Sequence, residues 1–199
     1  MIPILHPKRT DRMNHYFELA LYALAAVCFV YFLIRGIYAK VFEAVLIVAV
    51  LALIRAVIKF TKVELFPALR FSILLFIFVA MFLANEFGFY TIFPQLDKIE
   101  HLCSGVILCF VGLLIFRQIN KNKEAVKLHA STAVWFSLFF AVAMAGCWEI
   151  YEYTTDQLFG LHSQNDSLVD TMWDIICGTV GAGATGLYLS FKAKNQILT

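Results

Sequence analysis

The chain has 199 residues, of which 61% are hydrophobic and 15% charged, with a formal net charge of +2 and a mean hydropathy of +0.79. A soluble domain is about half apolar and a quarter charged, so water alone cannot be the solvent for this surface. The net charge says little about partners, but the lack of a basic patch interleaved with aromatics argues against nucleic-acid binding.

Aromatic residues make up 16% of the chain, 20 of them Phe, which suits lipid-facing surface and interfacial belts. Six apolar segments follow in chain order, about Tyr16–Ile34, Val41–Ile58, Leu69–Asn85, Leu96–Phe116, Ala130–Tyr153 and Asp170–Phe191. Each is long enough to cross a hydrocarbon core of about 30 Å at about 1.5 Å per residue. The expected fold is an all-α integral membrane protein, a six-helix transmembrane bundle forming one domain over 1–199. Within it, 1–68 is a two-helix part without motifs and 69–199 a four-helix part that carries them. Lys8, Arg9 and Arg12 precede the first segment as a signal peptide's would, but Ile34-Arg35-Gly36-Ile37-Tyr38 offers no small-x-small cleavage site. The first helix is therefore expected to be retained.

Basic residues set the expected orientation. Lys8, Arg9 and Arg12, then Arg55, Lys59, Lys62 and Arg70, then Arg117, Lys121, Lys123 and Lys127, then Lys192 and Lys194 fall on one side. Only Arg35, Lys40 and Lys98 fall on the other. Both termini should be cytoplasmic. The acids lean the other way: Glu43, Glu86, Asp97, Glu100, Glu149, Glu152, Asp156, Asp166, Asp170 and Asp174 map to the outer half, and only Asp11, Glu18, Glu64 and Glu124 to the inner. Since Asp and Glu contribute little to topology, a site on the outer face is the candidate explanation.

Three helix ends would build that site. The fourth opens with Asp97-Lys98-Ile99-Glu100-His101, which puts Asp97 and His101 on one face. The fifth ends in a run where Glu149, Glu152 and Asp156 share a narrow arc, and the sixth begins with Asp170 and Asp174, again four apart. Acids at membrane depth need a cation, shared protons or cationic partners, and Lys98 and His101 are the cationic candidates here. A divalent metal would balance the rest. Its expected ligands are Asp97, His101, Glu149, Glu152, Asp170 and Asp174, with Glu149 and Asp174 as candidate catalytic acids or bases. Lys98, Asp156 and His162 would complete the pocket, His162 as part of a covering loop. The blander reading stands beside this one. Ser167-x-x-Asp170 resembles a capping box, Asp97 suits the dipole of a first turn, and Glu43, Glu100, Glu152 and Asp156 would be solvated.

Gly181-Ala182-Gly183-Ala184-Thr185-Gly186 matches G-x-G-x-x-G but lies inside an apolar helix, so no dinucleotide site is expected. Gly178, Ala182 and Gly186 instead form a small-xxx-small stripe for close helix packing. The cysteines, Cys28, Cys103, Cys109, Cys147 and Cys177, lie in apolar runs without a C-x-x-C pair and are expected to be small buried hydrophobes. Trp148 and Trp173 look like outer-belt anchors and Trp135 an inner one.

Asp97-Lys98-x-x-His101, Trp148-Glu149-Ile-x-Glu152, and Asp170-Thr-Met-Trp-Asp174 before Gly178-Thr-Val-Gly181-Ala182 together resemble a family of uncharacterised bacterial inner-membrane proteins. More distantly, they are similar to the VanZ-like family, whose better-known members are linked to glycopeptide (teicoplanin) resistance. The resemblance covers about residues 85–190. It implies a bacterial cell membrane and an envelope role, but no defined reaction. Three functions are weighed: a metal-dependent pocket that binds or acts on an envelope lipid or headgroup, a small ion-coupled transporter, and a structural or assembly protein. The oligomeric state is not legible.

Overall fold

A computed structural model describes residues 7–121, 129–160, 163–164 and 167–194. Among these the chain forms six α-helices and no strand: α1 (Pro7–Ile34), α2 (Tyr38–Thr61), α3 (Pro67–Ile77), α4 (Leu96–Asn120), α5 (Ala130–Phe159) and α6 (Leu168–Lys194). Five of the apolar segments lie inside single α-helices, and the third spans α3 and the stretch Phe78–Glu86 after it; α1, α4 and α5 run a turn or more past their segments. Five helical spans are long and apolar enough to cross a membrane: Asp11–Ile34, Tyr38–Thr61, Pro67–Glu86, Leu96–Asn120 and Ala130–Leu158. At 27 residues α6 is also long, but Asp170, Asp174 and four glycines dilute its apolar content.

The chain divides into two compact units, Met1–Pro94 and Gln95–Thr199. In the first, α1 ends in a Schellman turn. Gly36 adopts φ +69°, its N–H donates to the Leu33 carbonyl, and the Ile37 N–H reaches back to the Phe32 carbonyl at 2.9 Å. Helix α3 starts on Pro67 at a first-turn position, after an extended Phe66. It passes directly into a π-helical stretch, Phe78–Glu86, whose last carbonyls take N–H groups five residues on, as Phe87 to Phe82 at 2.8 Å. Leu21, Ala25, Ile47, Leu51, Leu74, Ile77 and Phe82 form the apolar core of this unit. At one end Arg70 donates to both Asp11 (3.1 Å) and Glu18 (2.7 Å), and Arg55 lies 3.7 Å from Glu18. The Asn14 amide donates to the Pro67 carbonyl at 2.8 Å. Asp11 and Glu18 thus hold α1, α2 and α3 together through Arg55 and Arg70. Helix α3 packs within this first unit, against α1.

The second unit is a three-helix bundle in which α4, α5 and α6 all touch one another. Small residues let the backbones approach. A Cβ on Gly105 would collide with the Gly178 carbonyl and the Ala182 nitrogen, one on Gly181 with the Leu102 carbonyl, and one on Gly178 would stand 3.0 Å from the Ala145 Cβ. The stripe Gly178–Ala182–Gly186 thus does pack, with Gly178 and Ala182 against α4 and Gly186 facing Leu138 of α5. Cys109, Leu113, Ala133, Val134, Ala141, Ala182 and Leu189 form the core on the other side of this crossing.

Large apolar side chains cover the exterior, among them Val27, Val30, Ile34, Leu53, Phe139, Ile150, Leu187 and Phe191, as a surface solvated by lipid requires. Trp135, Trp148 and Trp173 are all exposed on it. The cysteines divide: Cys28 and Cys109 are buried and Cys177 is intermediate, but Cys103 and Cys147 are exposed, against expectation. Helical periodicity turns those two onto the outer surface, where a small apolar thiol is as well solvated by lipid as by protein.

Candidate functional site

Helix geometry assembles the acids of the second unit from the close crossing just described. Gly105, Ala145 and Gly178 mark it on α4, α5 and α6. One turn away on the respective helices stand His101, Glu149 and Asp174, and a further turn along α4 and α6 stand Asp97 and Asp170. All three near-crossing residues are buried: His101 is 9% exposed, Glu149 4% and Asp174 3%.

Lys98 is the hub. Its ammonium donates to Asp97 Oδ2 at 3.0 Å, Asp170 Oδ1 at 2.5 Å and Asp174 Oδ1 at 2.7 Å, binding the start of α4 to the start of α6. His101 Nε2 lies 3.5 Å from Asp97 Oδ1, 3.7 Å from Asp174 Oδ1 and 4.0 Å from Glu149 Oε1. Four carboxylates therefore surround one ammonium and one imidazole. Lys98 answers part of the charge imbalance that the sequence poses, and Glu149 Oε1 is left buried with no hydrogen-bond donor.

Asp97, His101 and Asp174 each offer a ligand atom, and these atoms lie within 4.8 Å of one another. Ligands about 2.0–2.2 Å from a metal ion stand about 3–3.5 Å apart, close to the two His101 distances. A mixed carboxylate and imidazole set suits Mn²⁺, Fe²⁺ or Zn²⁺. The other expected ligands have partners of their own. Asp170 bonds Lys98, while its backbone N–H donates to Ser167 Oγ at 3.3 Å, one half of the capping box. Glu152 Oε1 accepts the Trp148 indole N–H at 2.8 Å and remains within electrostatic reach of Glu149 and His101.

Asp156 holds the covering loop: its two oxygens accept the backbone N–H groups of Ser163 and Gln164, each at 3.0 Å. Gln164, unassigned from sequence, is thereby positioned to donate its amide to the Glu149 carbonyl at 3.1 Å and to Glu149 Oε2 at 3.3 Å. A polar residue in a loop of six such residues carries no periodic signal that would single it out. His162 and Asp166 lie outside the described residues. None of the four acids of the solvated reading is fully exposed, and Glu152 and Asp156 are only partly so. Glu100 is buried at 6% exposure, and Glu43 is only partly exposed, with its carboxylate 2.8 Å from Lys40.

Bundled apolar helices with a buried carboxylate, lysine and histidine cluster define a multi-pass membrane protein that carries a polar site. The chain belongs to the DUF2238 family of predicted membrane proteins, which it matches over residues 17–195. Neither a curated protein nor a solved structure matches it.

Proposed function

We propose that the second unit forms an outer-facing pocket that binds a divalent metal ion and, through it, binds or acts on an envelope lipid or headgroup. The observation that carries this reading is the convergence of Asp97, His101 and Asp174 ligand atoms within 4.8 Å, with a Glu149 oxygen that accepts no hydrogen bond 4.0 Å from His101. Metal ligands from three side chains leave positions for water or substrate oxygen. Glu149 then serves as general base, held through its other oxygen by Gln164. Lys98 is a second cation suited to an anionic headgroup, once one of its aspartates turns to the metal.

The finer topology belongs to the same proposal. Six spans, with α6 crossing beside α4 and α5, put both termini in the cytoplasm and the cluster on the outside of a bacterial inner membrane. The motif likeness to VanZ-like proteins supports an envelope role. The test is native mass spectrometry of the purified protein with envelope lipids, metal-loaded and chelated. Lipid retention that needs metal and is lost in Asp174→Asn is expected. Equal retention in all three samples would exclude the metal-mediated reading.

One observation favours a second reading. Lys98 already ties α4 to α6 through three carboxylates, an arrangement that suits a purely structural or assembly role. On that reading, removing the cluster lowers stability and leaves ligand binding unchanged. The α4–α6 cluster, held closed by Lys98, does not favour the ion-coupled transporter, the third function weighed.

A further inference from the structure

In the first unit, Glu86 closes the π-helical stretch, is 3% exposed, and receives no hydrogen bond on either carboxyl oxygen. An ionised carboxylate deprived of both water and donors is strongly disfavoured, so a buried one must gain a cation or a proton. The Glu43 carboxyl and the Lys40 ammonium of α2 lie close enough to act on it, and it acts in turn on the Cys28 thiol of α1. Lys40 is already engaged, since its ammonium donates to Glu43 Oε2 at 2.8 Å and to the Asn85 carbonyl at 2.5 Å. Cys28 brings no positive charge. Two carboxyls and one ammonium thus leave an excess of one negative charge, and the buried member of the pair feels Lys40 only at a distance, without a hydrogen bond from it.

We propose that Glu86 and Glu43 form a proton-binding site in the first unit, in which one proton is held between the two carboxyls. The partly exposed Lys40–Glu43 pair, with side chains 27% and 31% accessible, gives that proton its exchange route to solvent. This site shares no residue with the α4–α6 cluster and does not depend on any metal.

The test uses N,N′-dicyclohexylcarbodiimide, an apolar carbodiimide that adds to protonated carboxyls in apolar surroundings, on the full chain in detergent, with peptide mapping by mass spectrometry. Glu86 should be modified, and modification should fall about tenfold per pH unit above its midpoint. Glu86→Gln should abolish it. Glu43→Gln, whose amide donates to a Glu86 carboxylate, should move the midpoint to lower pH. An unmodified Glu86 at every pH, in protein that keeps its helical circular dichroism, would overturn the proposal. So would suppression by sodium against choline at fixed pH, because the site then takes a metal cation. Should Glu86→Gln fail to fold, the infrared band of a neutral carboxylic acid in the wild type, shifted by deuterium exchange, gives the same reading, and its absence overturns it.

Discussion

Three aspartates crowd one ammonium at the start of α4, and removing that ammonium leaves them facing one another. Lys98→Ala should destabilise the protein by about 2–4 kcal/mol, somewhat less than a fully buried pair would lose, because Lys98 is 29% exposed. Chemical unfolding in detergent measures it. The same substitution removes a positive charge that competes for Asp174 Oδ1 and Asp97, so it should tighten divalent-metal binding, whereas Asp174→Asn should weaken it. Titration calorimetry of the two variants decides the sign. The i, i+4 pairs Asp97–His101 and Asp170–Asp174 are legible in the sequence, and so is Glu149 as an acid on a helix end. The partition of their bonds is not, because a lysine side chain has enough freedom to reach any of several acids. Gln164 is hidden for a different reason: its role depends on Asp156 fixing the loop backbone, which no periodicity records.

At the scale of helices, the site exists because α4 and α6 approach closely at Gly105, Gly178 and Gly181. Gly181→Ala places a methyl against the Leu102 carbonyl and should cost about 1–3 kcal/mol through overpacking. Gly183 is the control. An added Cβ there meets nothing within 4 Å, so Gly183→Ala should be neutral or slightly stabilising by helix propensity. Thermal melts of the two variants beside the wild type give the comparison. The small-residue stripe on α6 is readable as a packing face, but its partner Gly105 stands in a different apolar run, seven residues from Gly112 and in no such stripe. Spacing shows which residues share a face, and only the crossing shows which faces meet. The π-helical stretch at Phe78–Glu86 is likewise unannounced, since an apolar run reads the same with four- or five-residue hydrogen bonding.

For the whole molecule, composition alone dictates lipid as the solvent, and the exposed Val, Ile, Leu and Phe side chains follow from it. The division at Pro94 is less visible, because the connection before it, Phe87-Gly88-Phe89-Tyr90-Thr91-Ile92-Phe93, is aromatic and carries no run of linker residues. Topology reporters fused after Lys62 and after Lys121 should report cytoplasm, and one inserted after Gly160 the outside. An outside reading at Lys121 would contradict the six-span arrangement. The central claim is tested most directly by the metal content of detergent-purified wild type beside Asp97→Ala/His101→Ala, read together with thermal melting in the presence and absence of chelator. One equivalent of a divalent metal in the wild type, lost in the variant together with chelator-sensitive melting, is the predicted result. No metal in the wild type after loading with Mn²⁺, Fe²⁺, Zn²⁺ or Mg²⁺, with melting of both proteins insensitive to chelator, would contradict it.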